Sequence, residues 1–151
     1  MKTTLHITLW TLLMLALPAR SIQAQQCSTR TTAGRSLVRC DGFLTPGPNA
    51  PQVPAKTLAI ATADKDGNFN GSGTVSVGGV TDTQTLTGTE QSNPDCTGTV
   101  TYSQTINGQP GPPINIAFVV SEGGDEIDGL VTDFGNTFAC KLGRTPSRHS
   151  K

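Results

Sequence analysis

Short stretches of alternating apolar and polar residues, separated by turn-forming residues, run through most of the chain. In the clearest stretch, residues 81–91, threonine occupies five alternate positions on one face and Leu86 lies on the other. A threonine face is typical of an outward β surface. We therefore predict that Leu86 points into the protein, together with Gln84 and Glu90.

Eight such stretches predict eight strands, joined by turns such as Asn107-Gly108. They cover residues 36–45, 55–63, 69–80, 81–91, 96–105, 114–120, 126–133 and 136–142. Four glycines inside the third stretch suggest bends or bulges: Gly71, Gly73, Gly78 and Gly79. Even spacing and tight turns favour an all-β, eight-stranded antiparallel up-and-down barrel over a Greek-key sandwich, because the only long loop is 46–54.

The two ends of the chain differ from this strand pattern. Lys2, an apolar run over residues 5–17, the break at Pro18 and the small residue Ala24 indicate a signal peptide, 1–24, cleaved after Ala24. We expect an irregular segment over 25–35, the barrel domain over 36–142 and a flexible basic tail over 143–151. The predicted location is secreted or periplasmic, with no membrane-spanning segment after cleavage.

Composition narrows the possible partners. Without Lys2 and Arg20, nine Lys and Arg residues face eleven Asp and Glu residues, a net charge of −2. This balance gives no reason to expect nucleic acid as a partner. His149 is the one histidine after the signal and no CxxC pair exists, so we predict no metal site and no cofactor. The sequence does not indicate an oligomeric state.

Five segments together carry a resemblance to a known group of proteins. They are Arg39-Cys40-Asp41-Gly42, residues 66–73, Asn93-Pro94-Asp95-Cys96-Thr97-Gly98-Thr99, residues 122–127 and Thr132-Asp133-Phe134-Gly135. In these segments the chain resembles a group of small secreted bacterial proteins with a DCTGT motif. The resemblance implies a calycin-like or allene-oxide-cyclase/dirigent-like barrel, and it implies no activity or catalytic residues.

Four cysteines remain after export, and an oxidising compartment favours two disulfide bonds. Barrel closure places the first strand beside the eighth, so Cys40 and Cys140 become neighbours within disulfide reach. Cys96 begins the fifth strand at the end of the barrel where Cys27 also lies. We predict Cys40–Cys140 and Cys27–Cys96, with Cys27–Cys40 and Cys96–Cys140 as the alternative pairing.

Three side chains are candidates for a ligand site inside the barrel: Tyr102, Glu90 and Phe118. A phenol and a carboxylate facing an apolar interior can orient a ligand, or act as acid and base if burial raises the pKa of the carboxylate. A structural role is the simpler interpretation, in which the tyrosine hydroxyl reaches the barrel mouth and the glutamate lies near a strand end.

Two acidic segments have simpler explanations than cation binding. Residues 64–75 place oxygen ligands as a calcium loop does, but Phe69 stands where that loop needs glycine and Val75 where it needs glutamate. We predict a hairpin turn there. In residues 122–133, Glu126 and Asp128 are predicted to share an exposed face opposite Ile127.

Three hypotheses for function follow. The first is a non-enzymatic exported barrel that binds a small apolar or amphipathic ligand. The second is a cyclase- or isomerase-like enzyme that acts by shape, which requires a cavity faced by Tyr102 and Glu90. The third is a cell-surface interaction protein, which predicts an exposed apolar patch and a filled interior. Whether the interior is hollow distinguishes them.

Overall fold

The structure, a computed structural model, describes residues 26–45, 47 and 49–145, and most of these residues form a closed antiparallel β-barrel. The elements are α1 (Thr29–Thr32), β1 (Gly34–Leu44), β2 (Val53–Ala63), β3 (Asn68–Val77), β4 (Val80–Ser92), β5 (Thr97–Ile106), β6 (Gln109–Pro110), β7 (Ile114–Val120), β8 (Glu126–Val131) and β9 (Thr137–Arg144). A 3-10 turn (Glu122–Gly124) joins β7 to β8.

Neighbouring strands of the barrel pair in chain order, and all of the pairs are antiparallel. The sheet runs β4-β3-β2-β1-β9-β8-β7-β5 and closes by pairing β4 with β5, while the two-residue β6 extends only the end of β5. The predicted eight-stranded up-and-down barrel is confirmed. Closure leaves none of these eight strands with an unpaired edge.

Alternation along each strand sends one set of side chains into the barrel. In β7, Ile114, Ile116, Phe118 and Val120 are buried and the residues between them are exposed. In β4, Gln84, Leu86 and Glu90 are buried between exposed threonines, as predicted. The core therefore occupies the barrel interior.

Several inward positions are glycines, because the interior of a small barrel has little room. Bends or bulges were expected at four glycines. Gly78 and Gly79 do form the turn between β3 and β4, but no bulge is present at Gly71 or Gly73, because β3 pairs without interruption with both β2 and β4. A Cβ atom at Gly73 would lie 2.5 Å from the Cα atom of Ala59. The glycines allow β2 and β3 to approach each other inside an unbroken ladder.

The ends of the barrel domain differ from the predicted boundaries. A one-turn helix, α1, lies in the segment predicted to be irregular, and β1 already begins at Gly34. At the other end, β9 continues to Arg144, two residues into the predicted tail. Residues 1–25 and 146–151 lie outside the described residues, and they include the predicted signal peptide.

The two disulfide bonds are Cys27–Cys96 and Cys40–Cys140. Cys40 of β1 lies directly opposite Cys140 of β9, with their Cα atoms 4.0 Å apart, where the first and last strands close the barrel. Cys27 precedes α1 and is joined to the turn before β5. Both pairs are those that barrel closure predicts.

Candidate functional site

The barrel interior contains a cavity of about 70 Å³ between the α1 end and the middle of the barrel. This volume is about half of the roughly 150 Å³ that accommodates benzene in an engineered apolar cavity. Apolar side chains form most of the wall: Val38, Ala61, Ala63, Phe69, Leu86, Val100, Ile116, Phe118, Ile127 and Leu142. The polar lining residues are Thr32, Ser36, Thr57, Glu90 and Tyr102.

Residues 28–33, here called the capping turn, cross the barrel end above this cavity. The turn contains α1 and is fixed on one side by the Cys27–Cys96 disulfide and by a hydrogen bond from the Cys27 amide to the Pro94 carbonyl (3.3 Å). Pro94 and Cys96 belong to the turn between β4 and β5. Hydrogen bonds hold this turn, because the Asp95 carboxylate accepts from the amide (3.0 Å) and the hydroxyl (2.7 Å) of Thr97. Local turn chemistry thus places the anchor of the capping turn.

The other contacts of the capping turn come from distant parts of the chain. The Thr29 hydroxyl donates to the Lys65 carbonyl in the β2–β3 turn, at 3.2 Å. The Arg144 guanidinium at the end of β9 donates to the carbonyls of Ala33 (3.2 Å) and Thr31. These contacts span the barrel mouth, so the capping turn lies across this end of the barrel, over the cavity.

Glu90 lies on β4 beneath the capping turn and is only 7% exposed. Its amide donates to the Gly67 carbonyl (2.8 Å), and Gly67 must be glycine because its φ is +88° and a Cβ atom there would lie 2.4 Å from the Glu90 carbonyl oxygen. Its carboxyl group contacts the Thr32 hydroxyl. Burial raises the pKa of Glu90 and the nearby charge of Asp64 adds to the rise, while the Thr32 contact opposes it.

Tyr102 lies on the neighbouring strand β5 and also lines the cavity. Its ring packs at a tilt against Phe69, with ring centroids 6.5 Å apart. Burial, with a smaller contribution from the negative charge of Asp133, raises the pKa of the phenol to about 12. The hydroxyl is therefore neutral at physiological pH and can donate or accept a hydrogen bond.

The three predicted ligand-site residues share one interior surface. Glu90 pairs with Val100 across the β4–β5 ladder and Tyr102 pairs with Gly88, so the two polar side chains are diagonal neighbours. Phe118 is 5% exposed and lies over Gly98, where a Cβ atom would be 2.3 Å from the edge of its ring. All three line the cavity. Whether they bind a ligand remains a prediction.

Thr32 is the cavity residue that sequence reasoning missed. It is buried, 4% exposed, and is the only capping-turn residue among those that line the cavity in the described chain. The segment Thr29-Arg30-Thr31-Thr32 has no apolar periodicity that would have marked it. The available signal was the predicted Cys27–Cys96 disulfide, because this bond holds the segment that follows Cys27 at the end of the barrel.

The acidic segments use their oxygens within the protein. The Asp64 carboxylate accepts hydrogen bonds from the amides of Asp66 and Asn68, both at 2.9 Å, which makes a hairpin turn. Glu126 pairs with Lys141 at 2.7 Å on the surface, opposite the buried Ile127. Among the described residues, no three His, Cys, Asp or Glu side chains are grouped so that they could hold a metal ion.

The outer surface has two further features. Leu130 (63% exposed) lies between Ala117 and Ala139 on the neighbouring strands, with Val119 close by, and these form a small apolar area. A depression of about 400 Å³ open to solvent extends from β1 across β2 and β3 to the start of β4, and its lining includes the charged side chains of Arg39, Asp41 and Lys56. Neither feature encloses a space as the interior does.

Comparisons of the chain with protein-family models, with curated proteins and with solved structures gave no match. The class of the protein therefore comes from its own architecture: a small disulfide-bonded antiparallel barrel, consistent with a calycin-like fold. The two disulfides indicate an oxidising compartment. In the part of the chain that is described, no helix has the length and apolar character needed to cross a membrane.

Proposed function

We propose that the protein is an exported, calycin-like barrel that binds a small apolar or amphipathic molecule in the cavity beneath the capping turn. One observation supports this more than any other: an interior space enclosed by apolar side chains that two polar groups, Glu90 and Tyr102, also face. Apolar walls with a few placed polar groups are typical of small-molecule sites. The predicted signal peptide and the disulfides support export.

The size of the cavity limits the ligand. At about 70 Å³, the closed barrel accepts a molecule of a few non-hydrogen atoms. A larger ligand requires displacement of the capping turn, which is held at one side by a disulfide and elsewhere by hydrogen bonds. We therefore expect small probes to bind to the closed protein and bulky dyes to bind poorly.

Xenon and small hydrocarbons test the proposal directly. We expect saturable chemical-shift changes for the methyl groups of Leu86, Ile116 and Leu142 in NMR titrations. Ala61→Leu should abolish them, because residue 61 lines the cavity. Thr62→Leu is the matched control, because the next residue on the same strand is exposed. Unchanged shifts in the folded wild-type protein would show that the interior takes no ligand.

An enzyme that acts by shape is the second candidate, since Glu90 and Tyr102 both line the cavity, as this mechanism requires. Burial raises the pKa of both groups: the Tyr102 phenol stays protonated and can donate a hydrogen bond, and the Glu90 carboxyl becomes harder to ionise and a stronger base once ionised. Under this proposal, Tyr102→Phe removes turnover of a cyclisation or isomerisation substrate and leaves its binding nearly intact. Equal loss of binding would favour the non-enzymatic role.

A further inference from the structure

The cavity wall contains one carboxyl group and, within the described chain, no lysine, arginine or histidine side chain. Glu90 therefore has no cationic partner in the cavity. An ionised carboxylate in apolar surroundings is costly unless it is paired or accepts several hydrogen bonds. The contact that the structure gives this carboxyl group is with the hydroxyl of Thr32.

Two contacts of the Thr32 hydroxyl group bear on the protonation state of Glu90. The Thr32 hydroxyl oxygen lies 2.9 Å from the Thr29 carbonyl and also contacts the Glu90 carboxyl oxygen. A hydroxyl group has one proton, so it cannot donate to both. The Thr29 carbonyl can only accept, and it also accepts a hydrogen bond from the Ala33 amide (3.0 Å). Both contacts of the Thr32 hydroxyl are therefore hydrogen bonds only when Thr32 donates to Thr29 and a protonated Glu90 donates to Thr32.

We propose that Glu90 offers this proton to the ligand, and that the ligand is a small neutral carbonyl compound whose oxygen replaces the Thr32 hydroxyl as the acceptor. The inference rests on the proposed function, because it specifies the ligand of the same cavity. Thr32 keeps its donated hydrogen bond to Thr29 during the exchange. One acceptor replaces another, and no buried donor is left without a partner.

The same wall disfavours charged ligands. An ammonium ligand has three N–H donors and would pair with an ionised Glu90. Both ions would then have to lose their water of hydration in an apolar space, which makes binding unfavourable. A carboxylate ligand would enter a space that no cationic side chain lines. A carbonyl oxygen needs one donor, and a neutral carboxyl group held in an apolar site supplies one.

Acetone and 2-methylpropene form a matched probe pair of similar shape, in which the alkene lacks the acceptor oxygen. We expect Glu90→Leu to weaken acetone binding about tenfold and to change alkene binding less than twofold, as for one hydrogen bond. Glu90→Gln retains an N–H donor and should stay within about threefold of wild type. Thr32→Val removes the competing acceptor and should strengthen acetone binding, whereas Thr57→Val, elsewhere in the cavity wall, should not.

Infrared spectroscopy of bound acetone gives a readout that does not depend on these variants folding. A hydrogen bond from Glu90 lowers the carbonyl stretching frequency relative to acetone in an apolar solvent. An unshifted band, or equal losses for both probes in Glu90→Leu, would overturn the carbonyl inference while leaving the proposed function intact. If neither probe binds to the folded wild-type protein, the proposed function fails as well.

Discussion

The two halves of the barrel are filled differently, although the same strands build both. In the half farther from the capping turn, here called the packed half, Ala55, Val75, Ile114, Val131 and Phe138 are buried and none of them borders the cavity. In the capped half, between Cys40–Cys140 and the capping turn, the cavity is present and Glu90 is buried beside it. Side-chain packing closes one half, whereas a separate segment of chain closes the other.

This difference assigns separate roles to the two disulfides. Cys40–Cys140 joins β1 to β9 inside the barrel wall, so its loss affects closure of the whole sheet. Cys27–Cys96 joins the start of the capping turn to the β4–β5 turn, outside the ladders. We infer that the first bond stabilises the barrel and that the second controls access to the cavity.

The largest effect is expected when the bond in the barrel wall is removed. The pair is separated by 100 residues, and the chain-entropy model gives about 4.7 kcal/mol for a loop of that length. Cys40→Ala/Cys140→Ala should lower the free energy of unfolding by this order, measured by urea unfolding. A loss below about 1 kcal/mol would show that strand pairing alone closes the barrel.

Removal of the Cys27–Cys96 bond should lower the free energy of unfolding by less. The chain-entropy model alone would not predict this, because the loop of 69 residues gives almost the same value, about 4.4 kcal/mol. Residues 28–33 lie outside the strand ladders, so we expect them to detach while the eight strands stay paired. Global unfolding would then not be the event that this bond prevents. For Cys27→Ala/Cys96→Ala we expect a loss of about 1–2 kcal/mol and faster hydrogen exchange at the Thr31 and Ala33 amides. Equal losses for the two double variants would contradict this assignment of roles.

The packed half and the barrel wall were largely predictable from the sequence, because they depend on alternation within strands. Threonines at alternate positions in β4 were enough to place Leu86 and Glu90 inside, and closure of consecutive strands was enough to pair Cys40 with Cys140. The error at Gly71 and Gly73 has a physical cause. A glycine in a strand is compatible with a bulge or with close packing, and local sequence does not distinguish the two.

The capping turn could not be predicted in the same way. Its position depends on single contacts with Lys65, Glu90 and Arg144, which lie far apart in the chain. None of these contacts has a periodic signature in the sequence. Glu90 and Tyr102 were identified as inward. The hydroxyl group that contacts Glu90, however, belongs to the capping turn, and the size of the cavity beneath that turn depends on its position.

Enlarging one alanine in each half tests the difference in packing directly. Ala61 lines the cavity, so Ala61→Val should fill space and stabilise the protein by about 1 kcal/mol. Ala55 is 1% exposed and does not border the cavity, so Ala55→Val should overpack its surroundings and destabilise the protein by about 1–3 kcal/mol. Urea unfolding of both variants gives the comparison. Changes of the same sign would mean that the two halves are equally packed.

The smallest expected effect is the pH dependence that Glu90 adds in the capped half. Its pKa is raised above 4.5 in the folded protein by burial, so the folded state binds more protons than the unfolded state above that pH. This contribution to the free energy of unfolding is fully present below pH 4.5, falls as pH rises through the folded-state pKa, and then stays constant. For one proton the slope cannot exceed about 1.4 kcal/mol per pH unit.

Neighbouring charges should leave this signal separable. Asp64 on the adjoining turn has a lowered pKa, so its contribution to the free energy of unfolding changes around and below pH 3.8. The Arg144 guanidinium donates to carbonyls of the capping turn and not to Glu90. Urea unfolding between pH 4 and 8 should show the decline in wild type and a flatter profile in Glu90→Gln. A profile of equal slope in both proteins would mean that the buried carboxyl group is not the titrating group, and that the capped half does not hold Glu90 in its protonated form.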